Sequence, residues 1–142
     1  MKIFLYSLEN TISTKLNEFI NNNRLIYQTI KADDGRYEGQ VMNGIKEGKG
    51  TYYYNDGDKY EGDFKDEKFE GKGIIYYKNG DRYEGDFKND KYEGKGIYYY
   101  YNGDKYEGYW KNDKEVGEGI YYFNNGKILK GNWKNGDFTG KK

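Results

Sequence analysis

Glu38, Glu61, Glu84 and Glu107 recur 23 residues apart. Carboxylates at a fixed spacing are raw material for an acid–base pair, with Glu61 and Glu84 the pair to weigh. Two-carboxylate catalysis needs unlike surroundings that push the two pKa values apart. A regular array supplies like surroundings, so these side chains read as a solvated face. Nucleophile–base constellations are poorly supplied: serine occurs only at Ser7 and Ser13, and there is no His and no Cys. Asn55-Asp56-Gly57-Asp58 faintly resembles a calcium loop. It lacks the spaced ligands and distal bidentate Glu of such a site, and reads as a turn. The YEG and GKG strings do not have phosphate-cradling spacing. The expectation is a protein with no catalytic residues, no metal site and no cofactor, hence not an enzyme.

Aromatic residues are the better candidates. The 142 residues include 19 Tyr, 7 Phe, 2 Trp and 21 Gly. Tyr, Trp and Phe are enriched where proteins meet one another. The expected partner-binding residues are Tyr60, Phe64, Tyr76, Tyr83, Phe87, Tyr99, Tyr106, Trp110, Tyr122 and Trp133, with Trp110 and Trp133 foremost. Formal net charge is zero, from 24 basic and 24 acidic residues. Nucleic acid or anionic lipid binding usually shows as a basic excess. No nucleic acid and no small-molecule substrate are expected, and lipid ranks below protein. The absence of Cys, of a long apolar run and of a cleavable leader pattern leads to the expectation of a cytoplasmic protein.

The elements that position these residues follow from a repeat. YEGDFKNDKYEGKG at 83–96 nearly copies YEGDFKDEKFEGKG at 60–73, with weaker copies from Tyr37 and Tyr106 and a partial one from Leu129. A fixed period marks a repeat architecture. Each period reads as two strands, 59–65 and 71–77 in the second copy. Asp56-Gly57, Asn79-Gly80, Asn102-Gly103 and Asn125-Gly126 read as two-residue type I′ turns. No Pro interrupts the ladder.

Centring a turn on Asn79-Gly80 pairs Tyr76 with Tyr83, Ile74 with Gly85 and Lys72 with Phe87. Centring the other connection on Lys68 pairs Tyr76 with Tyr60, Ile74 with Gly62 and Lys72 with Phe64. Paired residues share a face. The expected rows are therefore Tyr60, Tyr76, Tyr83, Tyr99, Tyr106 and Tyr122 on one line, with Phe64, Phe87, Trp110 and Trp133 two residues further along the same face. Upstream, Leu8, Ile12, Leu16, Phe19 and Ile20 form a helical stripe over about 8–21. This helix either covers part of the aromatic face or is displaced by, or mimics, a partner helix; the stripe leaves both open. Residues 24–31 read as a degenerate leading strand. A turn at Asp34-Gly35 places Ile30 opposite Gly39 and Gln28 opposite Val41.

The Tyr-Glu-Gly string with Gly-x-Gly beginning eleven residues after its Tyr resembles the MORN (membrane occupation and recognition nexus) repeat family. The resemblance implies an all-β repeat: an elongated, single-layer, twisted antiparallel sheet of tandem β-hairpins with a 23-residue period. A short N-terminal α-helix precedes it. The expected divisions are a helical segment 1–23, a leading strand and turn 24–36, and an array 37–142 divided as 37–59, 60–82, 83–105, 106–128 and a partial 129–142. The resemblance also implies a scaffold or adaptor associated with the cytoskeleton or a membrane, and the aromatic face is expected to receive a helix or extended peptide of another protein, or of a second copy. Its alternatives are peripheral phosphoinositide or membrane-surface binding, and homo-oligomerisation through the edge strand Leu129 to Trp133.

Overall fold

The computed structural model describes residues 2–140, with residues 2–4 and 6 described in backbone only. It consists of a helix, α1 (Lys2–Asn22), and eleven strands. The strands are β1 (Ile26–Ala32), β2 (Gly35–Met42), β3 (Ile45–Tyr54), β4 (Lys59–Lys65), β5 (Lys68–Tyr76) and β6 (Arg82–Lys88). They continue with β7 (Lys91–Tyr99), β8 (Lys105–Lys111), β9 (Lys114–Tyr122), β10 (Ile128–Lys134) and β11 (Asp137–Gly140). Each strand pairs antiparallel with the next in one sheet, ordered β1 to β11. At roughly 4.8 Å per strand the sheet is on the order of 50 Å long.

Two kinds of turn alternate, and their chemistry sets the register. Asn79-Gly80 and its counterparts at Asp56-Gly57, Asn102-Gly103 and Asn125-Gly126 are not two-residue turns. The Tyr77 N–H donates to the Asp81 carbonyl and the Gly80 N–H to the Tyr77 carbonyl, closing a three-residue loop with Gly80 at φ 95°. Such loops end on a residue in the left-handed region, which Gly adopts at no steric cost. The two-residue turns are the other connections. Asp66-Glu67, Asn89-Asp90 and Asn112-Asp113 hold positive φ at both positions, as a type I′ turn requires. Five residues beyond the first residue of these turns, Gly71, Gly94 and Gly117 also have positive φ. There the ladder shifts register through a bulge.

The result corrects the expected pairing by one residue. Tyr83 pairs with Ile75 rather than Tyr76, and Gly85 with Gly73 rather than Ile74. Tyr60 likewise pairs with Ile75, and Gly62 with Gly73. A slip of one carries every side chain of a strand to the other face. Tyr76, Tyr99 and Tyr122 therefore lie on the face opposite Tyr60, Tyr83 and Tyr106. Both connections were misread in the same direction, so the two readings agreed with each other while both were displaced. At the first hairpin, Ile30 stands opposite Tyr37, not Gly39, and Gln28 opposite Gly39, not Val41.

The corrected register explains how a single layer makes a core. Glycines pair with glycines from Gly39 in β2 to Gly131 in β10. Tyr60 folds flat over this row: a Cβ on Gly62 or Gly73 would meet its hydroxyl at 2.5 Å. That hydroxyl donates to the Asp63 carbonyl at 2.8 Å, beside the register shift. Tyr83 does the same to the Asp86 carbonyl at 2.9 Å. Both rings are 0% exposed. Among the described residues, Tyr37, Tyr60, Tyr83 and Tyr106 are the most deeply buried rings.

The other two sequence expectations at the ends are also revised. α1 starts six residues earlier than the stripe indicated and ends where the Asn23 backbone and side-chain amides both donate to the Phe19 carbonyl. None of its described apolar side chains packs on the aromatic face. Leu8 (53%), Ile12 (58%) and Phe19 (66%) stand exposed to solvent. Leu129 to Trp133 lies within β10, which is not an edge, because β11 pairs outside it.

Candidate functional site

The ring-bearing face closes on itself. Phe87 stands edge-on between Tyr60 and Tyr83, with centroids 5.1 Å from each. Trp110 stands likewise between Tyr83 and Tyr106, at 5.3 and 5.2 Å. Phe69 stacks on Tyr60 at 3.7 Å and Tyr92 on Tyr83 at 3.6 Å. The Trp110 indole N–H donates to the Gly96 carbonyl at 3.2 Å. Each edge-to-face or stacked contact adds about 0.5–1.5 kcal/mol beyond area burial. Burial pushes the Tyr37 phenol up to about 12 and raises those of Tyr60, Tyr83 and Tyr106, so all four remain hydrogen-bond donors.

The ten candidate residues thus divide. Tyr60, Phe64, Tyr83, Phe87, Tyr106 and Trp110 are buried among one another. Trp133 is half-buried at the end of the same ridge, 5.0 Å from Tyr106. Tyr76, Tyr99 and Tyr122 are on the opposite face, each under a cation: Lys59, Arg82 and Lys105 lie 4.3, 4.2 and 4.3 Å from the respective ring centroids. The expected single aromatic binding row does not form.

The opposite face forms a groove of about 1330 Å³ running from Lys49 in β3 to Asn132 in β10. The bulges that twist each hairpin bend the sheet around this side. Ile74, Ile97 and Ile120 form its floor, two strands apart, alternating with Glu61, Glu84 and Glu107. Along one side, on the same face but outside the groove's lining, runs the cation-covered Tyr row, whose Lys59 also pairs with Glu61 at 2.7 Å. The wall on the other side carries Lys49 and Lys72, held at 2.5 Å by Asp63 and Asp86. In the fourth copy that Asp is replaced by Tyr109, and Lys95 lies over its ring at 5.6 Å. Asp63 and Asp86 also accept the Lys72 and Lys95 backbone N–H at 3.1 Å, which ties the bulges into the wall.

Sequence reasoning missed the isoleucines as a groove floor. Their 23-residue recurrence was visible, but the displaced register put them beside the glycines. The groove offers half-exposed aliphatic groups flanked by charges of both signs. Its lining holds no Ser, Thr, Cys or His, and the described residues contain no His, Cys, Asp or Glu cluster suited to a metal ion. Among the described residues no helix is long and apolar enough to cross a membrane.

An open single-layer sheet that builds its core on tyrosines folded over paired glycines, once per hairpin, defines a solenoid-like repeat protein. The MORN repeat family model matches residues 37–59, 60–82, 83–105 and 106–128. The chain belongs to the MORN repeat family. No curated protein matches it in a direct search.

Proposed function

We propose that this chain is a non-catalytic interaction module whose groove receives an amphipathic segment of another protein. One observation carries this reading: Ile74, Ile97 and Ile120 line an open groove at a regular two-strand pitch, Ile74 and Ile97 each between two glutamates and Ile120 between Glu107 and Lys130. An apolar stripe with charged flanks matches that surface, because its apolar side meets the isoleucines and its flanks meet the charges beside them. This moves the binding face from the ring ridge to the groove. Trp110 becomes a core residue in this reading, not a contact residue.

The test is affinity capture from the native cell with wild type and Ile74→Lys/Ile97→Lys, each checked for an unchanged melting curve. Loss of the captured proteins in the folded variant supports the reading. Full retention overturns it. The membrane-surface alternative draws on the lysine wall. Lys49 and Lys72 are, however, already matched by carboxylates. Retention of the protein by phosphatidylserine-containing vesicles at low salt, reversed by added salt, would favour it.

A further inference from the structure

The same chain presents a stripe of the kind that the groove fits. Leu5, Ile12 and Phe19 lie on one side of α1, seven residues apart, with Leu8 and Leu16 between them. They are exposed and pack on no strand. Seven residues of helix rise about 10.5 Å. Two strands of sheet advance about 9.6 Å. Three helical positions therefore span about 21 Å against about 19 Å for the three isoleucines. The stripe is bordered by Lys15 on one side and Glu9 on the other, matching a groove that carries both charges.

We propose that α1 occupies the groove of a second copy of this chain, its Leu5–Ile12–Phe19 line over Ile74, Ile97 and Ile120, and that two copies exchange helices reciprocally. The inference rests on the groove being a site for an amphipathic segment. A second copy is the fitting occupant because α1 leaves its own sheet at a corner. Only its last residues approach the β2–β3 turn, around Asn43 and Gly44. Bringing it over its own groove would reverse the chain within residues 23–25, where Asn23 closes the helix on the Phe19 carbonyl. Docking on another copy needs no such rearrangement, and a two-fold exchange closes without leaving a free stripe. In this arrangement the dimer is the resting form, and an outside segment enters by displacing α1.

Sedimentation equilibrium of the full chain across a hundredfold concentration range tests this. Wild type is expected to form a dimer. Ile12→Asp, at an exposed helix position, and Ile74→Lys/Ile97→Lys are each expected to weaken association at least tenfold with an unchanged far-ultraviolet circular dichroism spectrum. Mixing the two variants leaves one intact helix–groove contact, so a mixed dimer should reappear. A monomer throughout, a dimer indifferent to Ile12→Asp, or no mixed dimer overturns the inference. If the wild type is monomeric while the groove variant still loses its captured proteins, the exchange fails and the groove reading stands. If capture is also unaffected, both fail.

Discussion

The two faces of this sheet are built from similar residue types and do opposite things. On one, tyrosines are folded down over glycines, hydrogen-bonded to bulge carbonyls and wedged by Phe87 and Trp110. On the other, tyrosines stand under Lys and Arg beside half-exposed isoleucines. A ring that has spent its hydroxyl and both sides of its π-system on its own chain has little left for a partner. Availability, and not ring content, separates core from binding surface here.

The largest effect expected from breaking this contrast is at Trp110. Trp110→Ala removes the wedge between Tyr83 and Tyr106 and the bond to the Gly96 carbonyl. It should cost about 3–5 kcal/mol in urea unfolding, as no contact residue on the open face would. A smaller effect, of opposite sign, is expected at Glu115. It occupies the position where Phe69 and Tyr92 stack on their tyrosines, and burial raises its carboxyl pKa. Glu115→Tyr should complete the ridge over Tyr106 and raise stability by about 0.5–1.5 kcal/mol. The smallest effect is in the acid range. Bonds from the Asn124 N–H and the Tyr121 hydroxyl hold the half-exposed Asp104 carboxyl below its usual range. A depressed carboxyl stabilises above the unfolded value of about 3.9 and loses that contribution as pH falls through its folded value. The melting temperature should therefore drop on acidification below about pH 4, and by less in Asp104→Asn.

Much of the fold was legible in the sequence. The 23-residue period gave the hairpin array, and the Leu8–Ile20 stripe gave the helix. What was not legible was the register, because it depends on turn geometry that residue identity underdetermines. Asn79-Gly80 suits a type I′ turn, yet the chain uses Gly80 as the closing residue of a three-residue loop. Asn89-Asp90, without a glycine, makes the type I′ turn instead. That one-residue difference moved Tyr76, Tyr99 and Tyr122 off the expected face and brought Ile74, Ile97 and Ile120 into the groove. The helix stripe was legible but its lack of a partner within the chain was not, since an apolar stripe does not state what covers it. Phe69 and Tyr92 were overlooked because they sat in segments read as links.

The central claim is that two tyrosines expected to be neighbours on one row lie on opposite faces. Residue-resolved chemical modification of tyrosine in the folded chain tests it directly, read by mass spectrometry. The account predicts that Tyr60, Tyr83 and Tyr106, at 0% exposure, stay unmodified while Tyr76, Tyr99 and Tyr122 react. Equal protection of Tyr76 and Tyr83, or faster reaction of Tyr83, would contradict it.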